Sequence, residues 1–324
     1  MMAPGGQAER TPVSTDRSES TTVTFRGADG LALVADEWNN PEALARSGGA
    51  EFDTSRPSVL MLHGGGQNRF SWKKTGQLLA SRGGLHVVAL DSRGHGDSDR
   101  SPDAKYTVEA LCADTRSVLE QIGRPPVVLI GASMGGLTGI LAAHEAGPDR
   151  VQRLILVDVV PRYEKKDGSA RIRDFMFSHV HGFESLEEAA EAVAAYLPHR
   201  TKPRSPDGLR KNLRHRNGRW YWHWDPAFLT KPQEDPFVRV DMLEQAAIDL
   251  SIPILLIRGK LSDVVSEEAV EDFLRKVPPN AEFAELSGGG THRRRGRQRR
   301  VLGRRGAIRF FAAMSACAKR RQRQ

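Results

Sequence analysis

The sequence predicts an α/β protein: a mainly parallel sheet flanked by helices, with a helical lid inserted late in the chain. Three observations carry this. Short continuous apolar runs recur at PSVLML (57–62), LHVVAL (85–90), PVVLIG (126–131), LILVDVV (154–160), IPILLIRG (252–259) and AEFAELS (281–287). Such runs suit strands buried on both faces of a sheet. Helix-patterned stretches lie between them, and alternating strands and helices argue a parallel arrangement. The alternation stops between about 161 and 245, where the chain turns polar and rich in Trp and Arg.

Taken in order, residues 1–20 are rich in Ser, Thr, Gly and charge and are expected to be disordered. They contain no apolar signal region, so secretion by that route is not expected. TTVTFR and LALVADEW flank the turn GADG and read as two strands. TVEALCADTRSVLEQIG (107–123) keeps Val108, Leu111, Val118 and Ile122 near one side of a helix. A helix at 136–147 begins tightly after a glycine pair, and another at 266–277 opens with Ser266 as N-cap and acidic residues in its first turn. Ser185-Leu-Glu-Glu188 is a capping box opening an amphipathic helix in the insert. The expected organisation is a core at 21–160 and 246–292, a lid at 161–245 over the sheet's carboxyl edge, and a basic tail at 293–324.

The net charge of +8 describes the tail, not the body. Of 48 Lys and Arg, 13 lie from Arg293 to Gln324 with no acidic residue, leaving 35 basic against 40 acidic groups before them, a net of −5. Whole-chain charge therefore says nothing of the body's partners. No run has the apolar length of a membrane span. Cys112 and Cys317 are far apart and form no metal-type spacing, which fits reduced thiols and a cytoplasmic location. No metal or cofactor is expected.

Gly131-Ala-Ser133-Met-Gly135 directly follows a strand and directly precedes a helix. That context makes it a nucleophile elbow, with Ser133 on a turn so sharp that the flanking glycines leave no room for a Cβ. The helix start favours developing negative charge. His63-Gly-Gly-Gly-Gln67 follows the strand at 57–62. An oxyanion hole needs donors where charge develops, each worth on the order of 3 kcal/mol. The Met134 N–H is one, and the N–H of Gly64 or Gly65 is the other. His63 reads as a structural hydrogen-bonding group rather than a base. Asp263, after the strand ending at Gly259, could orient an imidazole. Asp91 also ends a strand but sits in a glycine-rich turn with charge partners, so it stands second for the acid. Such serines take their partners in the order Ser, Asp, His. His292 is the only histidine after the last strand, so the expected triad is Ser133, Asp263 and His292. In the lid, Trp220, Trp222 and Trp224 alternate and would share one face of a strand, either lining an apolar substrate pocket or packing the lid. His223, on the other face, is not expected to be catalytic.

LHGGGQNRFSW, LDSRGHGDSD, IGASMGG, LILVDVVPR and RGKLSDVV stand in an order that resembles the α/β-hydrolase superfamily, from about residue 22 to 287. The elbow resembles that of bacterial cofactor-free (non-haem) peroxidases and esterase-like hydrolases. The resemblance implies Ser133 as nucleophile, Asp263 as acid, and Gly65 and Met134 as oxyanion hole. Serine at 133 argues against the epoxide hydrolases and haloalkane dehalogenases, which use aspartate. The end departs from the pattern. Relatives carry something like Gly-Ala-Gly-His-Met-Val-Ala-Gly-Asp-x-Asn-Asp-x-Phe, where this chain has Gly-Gly-Gly-Thr-His-Arg-Arg-Arg. Read one nucleotide forward from Thr291, CGN arginine codons become Val, Ala, Asp, Gly or Glu codons. The shifted frame can spell His-Thr-Val-Ala-Gly-Asp-Asn-type sequence. The expectation is therefore a frameshift after about Gly290, which sequencing the 3′ end of the gene decides.

The leading expectation is a serine hydrolase of a small ester or related carbonyl compound, acting through an acyl-enzyme. Perhydrolysis by a cofactor-free haloperoxidase and carbon–carbon bond hydrolysis are the alternatives within enzymes. Outside them stand a catalytically impaired fold and a nucleic-acid-binding tail, whose binding would be strongly salt dependent. The tail offers only Phe310 and Phe311 for base stacking.

Overall fold

The computed structural model describes residues 9–10, 19–39, 56–123, 126–162, 167–196, 205–230, 236–260, 262, 264–277, 279 and 281–286. Their strands are β1 (Glu9–Arg10), β2 (Thr21–Arg26), β3 (Ala32–Trp38), β4 (Ser58–Leu62), β5 (Val87–Leu90), β6 (Val127–Ala132), β7 (Val151–Val157), β8 (Leu213–Arg216), β9 (Arg219–Trp222), β10 (Ile254–Gly259) and β11 (Glu282–Leu286). The main sheet runs β1-β2-β3-β5-β4-β6-β7-β10-β11. β1, β2 and β3 pair antiparallel, and from β5 to β11 every pair is parallel. Every apolar run read as a strand in the sequence is one. The expectation of a disordered N-terminus needs correction at Glu9–Arg10, which pairs with Val23 and Thr24. An open edge on β2 offers unpaired backbone groups, and this short segment takes them up.

Alternation along the strands explains burial on both faces. Leu60, Leu62, Val88, Leu90, Leu129, Leu154, Leu156, Ile254 and Leu256 point into one core cluster, whereas Val59, Met61, Val87, Ala89, Val128, Ile130, Ile155, Leu255 and Ile257 point into the other. Helix α1 (Lys73–Gly83) covers the second face and turns off at Gly84, whose φ of 60° is left-handed. On the first face lie α2 (Val108–Ile122), capped by the Thr107 side chain on the Ala110 N–H, and α3 (Met134–Ala146). α3 starts at Met134, one residue before the glycine pair, because only Ser133 separates it from β6. β7 ends at Val157, not at Val160: Asp158 takes φ +55°, and Val159 and Val160 stay buried in a turn rather than a strand.

The segment between β7 and β10 holds α4 (Asp167–Ser178), α5 (Leu186–Tyr196), a 3₁₀ turn (Pro206–Asn212), the β8–β9 hairpin, α6 (Ala227–Thr230) and α7 (Pro236–Ile248). The Ser185 hydroxyl accepts the Glu188 N–H at 3.1 Å, as the capping box requires. Asn217 and Gly218, both at positive φ, make the hairpin turn. The hairpin, with Phe183, Leu186 and Ala189, has a small core of its own. α7 instead lies on α3 and sends Leu243, Ala246 and Ala247 into the main core. A boundary at 245 therefore falls inside a core-packed helix. α8 (Glu267–Lys276) follows, its Ala269 N–H held by the Ser266 hydroxyl at 3.1 Å. No helix among the described residues is long and apolar enough to cross a membrane.

Candidate active site

Ser133 stands between β6 and α3 with φ 47° and ψ −119°, a backbone conformation that costs an L-residue and persists only where the surroundings enforce it. They do so here by close approach. A Cβ on Gly131 would lie 2.2 Å from the Gly135 carbonyl oxygen, and one on Gly135 would lie 2.4 Å from that of Leu62. The Ser133 N–H is bonded to the Val157 carbonyl at 3.2 Å, and its own carbonyl accepts the Gly136 N–H at 2.8 Å. The residue is exposed, at the carboxyl edge of the sheet.

The loop after β4 lies against it: a Cβ on Gly64 would be 3.3 Å from the Ser133 Cβ. Its three consecutive N–H groups differ. Gly64 donates to Gln67 Oε1 at 3.2 Å and Gly66 to His95 Nε2 at 3.2 Å. The Gly65 N–H has no such bond among the described residues. Above the loop stand lid side chains. Phe228 of α6 is 3.5 Å from a Cβ built on Gly65, and Met176 of α4 is 2.9 Å from one on Gly66. The Met134 sulfur would also lie 3.9 Å from a Cβ on Gly65.

His63 is fully buried, with Nδ1 on the Gly64 carbonyl at 2.8 Å and Nε2 accepting the Ser92 N–H at 3.0 Å. Burial lowers its pKa to about 4, so it stays neutral and structural. Asp91 is not available as the acid. Its carboxylate is completely buried, accepts the N–H groups of Arg69 at 2.6 Å and Asp97 at 3.0 Å, and pairs with the Arg69 guanidinium. Asp263 and His292 lie outside the described residues, as do Cys317 and the 293–324 tail. The strand end that leads to Asp263 is well held: Arg258 donates to the Val265 carbonyl at 2.6 Å, and Ser262 Oγ accepts the N–H groups of Val264 and Val265.

Trp220 and Trp222 are half-buried. Trp220 and Trp222 do share a face, but that face joins the lid's own cluster. Trp222 meets Phe183 edge-on at 5.3 Å, and Trp220 lies against His215 at 4.8 Å. Trp224 falls beyond the strand and is only 2% exposed. The apolar residues over the loop are Met176 and Phe228, which carry no sequence signal beyond being apolar in the insert. Asp158 is a further carboxylate that the sequence hid inside an apparent strand. It directly follows β7, next to the Val157 carbonyl that holds the Ser133 N–H, and its Oδ2 accepts from Ser262 Oγ at 3.0 Å. Among the described residues no group of three or more His, Cys, Asp or Glu side chains could hold a metal ion.

A parallel sheet with a strained serine between its central strand and a buried helix, faced by a glycine loop from the neighbouring strand, defines the α/β-hydrolase class. The chain belongs to that family: the family described as alpha/beta hydrolase fold matches residues 57–292. The sn-1-specific diacylglycerol lipase ABHD11 of Mus musculus is 30% identical over 261 residues, 74% of this chain and 76% of that protein. Esterase Rv0045c of Mycobacterium tuberculosis is 30% identical over 228 residues, 69% of this chain and 72% of that one. A solved structure of that esterase has a TM-score of 0.61 at 26% identity, covering 89% of this chain and 87% of its own. An α/β hydrolase from Novosphingobium aromaticivorans gives 0.67 at 26% identity, over 83% and 90%.

Proposed function

We propose that the protein is a serine hydrolase of a small ester or related carbonyl substrate, working through an acyl-enzyme. The observation that carries this is the strained, exposed Ser133 facing a loop with one open N–H. In this reading Ser133 Oγ attacks the carbonyl while His292 takes its proton. Asp263 orients the imidazole and stabilises its charged form. The substrate oxygen becomes an oxyanion, received by the N–H groups of Met134 and Gly65. Gly64 is set aside as a donor because its N–H is already committed to Gln67. His292 then returns the proton to the leaving alcohol, and water repeats the sequence to release the acid. The esterase and lipase names of the relatives support the ester class. Met176 and Phe228 set apolar groups close against the loop.

Labelling with a fluorophosphonate probe tests the reading. Wild type is expected to label and Ser133→Ala to lose labelling and ester hydrolysis together, by at least about 10³-fold. His292→Ala is expected to lose turnover likewise. An unlabelled wild type, or label retained in Ser133→Ala, overturns it. Peroxide-dependent halogenation measured on the same enzyme separates perhydrolysis from hydrolysis.

A further inference from the structure

Three histidines from different parts of the chain meet behind the glycine loop. The His63 and His95 ring centroids are 5.1 Å apart, and those of His95 and His223 are 6.0 Å apart. All three are at most 4% exposed. Each uses a ring nitrogen as an acceptor for a backbone N–H. His63 takes Ser92, His95 takes Gly66 at 3.2 Å, and His223 takes Gly96 at 2.7 Å. His95 completes its pairing by donating Nδ1–H to the Arg93 carbonyl at 3.1 Å. Only a neutral imidazole can accept in this way. Burial keeps them neutral, lowering His95 to about 3 and His223 to about 2.

We propose that His95 is a positioning residue for the oxyanion loop, and that His223 and Phe228 couple the seating of the lid to it. His63 fixes the Gly64 carbonyl and His95 fixes the Gly66 N–H, so the peptide units on either side of Gly65 are tied down. Because the Gly64 carbonyl and the Gly65 N–H share one planar peptide unit, these bonds set the direction of the Gly65 N–H. A preorganised donor stabilises a developing oxyanion without reorganising during the reaction. The lid reaches the same point twice. Phe228 lies edge-on to the His95 ring at 5.0 Å, and His223 holds the residue next to His95. The second nitrogen of His223, Nε2, is buried with no hydrogen-bond partner.

The proposal rests on the serine-hydrolase reading, and the experiment separates the two. His95→Phe keeps a ring but removes the acceptor; His95→Gln restores an acceptor; His95→Leu replaces the first if it fails to fold. Active sites are counted from the endpoint of phosphonylation. His95→Phe is expected to lower kcat by about 10- to 100-fold with KM within about twofold. Affinity for a trifluoromethyl ketone, whose adduct places an oxyanion in the same hole, should fall by the same factor, and His95→Gln should recover both. Amide exchange of the 63–67 segment should accelerate in His95→Phe and not in His95→Gln. His223→Phe should shift exchange and kcat in the same direction. Unchanged ketone affinity in His95→Phe, or His95→Gln no better than Phe, overturns the role of His95. Unchanged exchange in His223→Phe overturns the coupling to the lid. If wild type is not phosphonylated at all, the hydrolase reading fails alone, and the exchange of 63–67 still decides whether His95 holds the loop.

Discussion

At the scale of single residues, hydrogen-bond partners decide which groups are open for chemistry. Gly64, Gly65 and Gly66 are identical in sequence, yet two of their N–H groups are bonded to Gln67 and His95. Ser262 shows the same principle on the acid side of the site. It donates to Asp158 at 3.0 Å and accepts from two backbone N–H groups of the turn beyond Asp263. Ser262→Ala removes all three bonds while adding no bulk. We expect kcat/KM to fall by roughly 10-fold as the proposed acid loses its fixed geometry, with unfolding midpoints little changed. Steady-state kinetics beside thermal melts check this; unaltered kcat/KM would show that the turn is held by other means. Asp91 makes the complementary point. A carboxylate at a strand end looks available until its partners, Arg69 and two backbone N–H groups, are seen to use it fully.

At the scale of elements, the local signals were direct. Ser266 was legible as an N-cap, and its side chain holds the N–H three residues on, as Thr107 does at the start of α2. Thr107→Ala should cost about 1 kcal/mol. In a chain of this size that lowers Tm by about 1–2 °C, read by calorimetry with activity per folded molecule unchanged. No shift in Tm would show that packing of α2 outweighs its cap. Element ends were less legible. The run LILVDVV is apolar almost throughout, and nothing in its pattern marks where Asp158 leaves the sheet. Strand β9 was legible in the alternation of its tryptophans, but neither its hairpin partner β8 nor the destination of their shared face was. Periodicity gives a face, and only the neighbours Phe183 and Leu186 show that this face packs within the lid.

At the scale of the whole molecule, lid and core meet through a buried polar seam. Arg214 donates to the Gly96 carbonyl at 2.9 Å, Asp225 receives the Tyr106 hydroxyl at 2.6 Å, and Asn68 donates to Lys211 and Asn212. His63, His95 and His223 stand behind that seam with pKa values of about 4, 3 and 2, below the 6.5 of an unfolded histidine. The unfolded chain therefore binds more protons below pH 6.5, so stability falls as pH drops through 6.5 toward 4. Between pH 7 and pH 5 each histidine should cost about 2 kcal/mol. Urea unfolding at the two pH values checks this, and equal midpoints would show that the histidines are protonated while folded.

The sequence by itself determined the sheet, the strand–turn–helix at Ser133 and the order of the motifs. Each is written locally, in apolar run length, in glycines that close contacts demand, and in capping residues. It also displayed the break in character after Gly290, a matter of composition rather than of fold. The tertiary structure decided that Gly65 rather than Gly64 has the open N–H, that Asp91 is structural, and that the lid's tryptophans pack inward. It also decided that Met176 and Phe228 stand over the glycine loop and that His223 reaches the residue beside His95. These outcomes depend on partners many residues away in the chain, and a hydrogen bond or ring contact is set by distance in space, which no local pattern records.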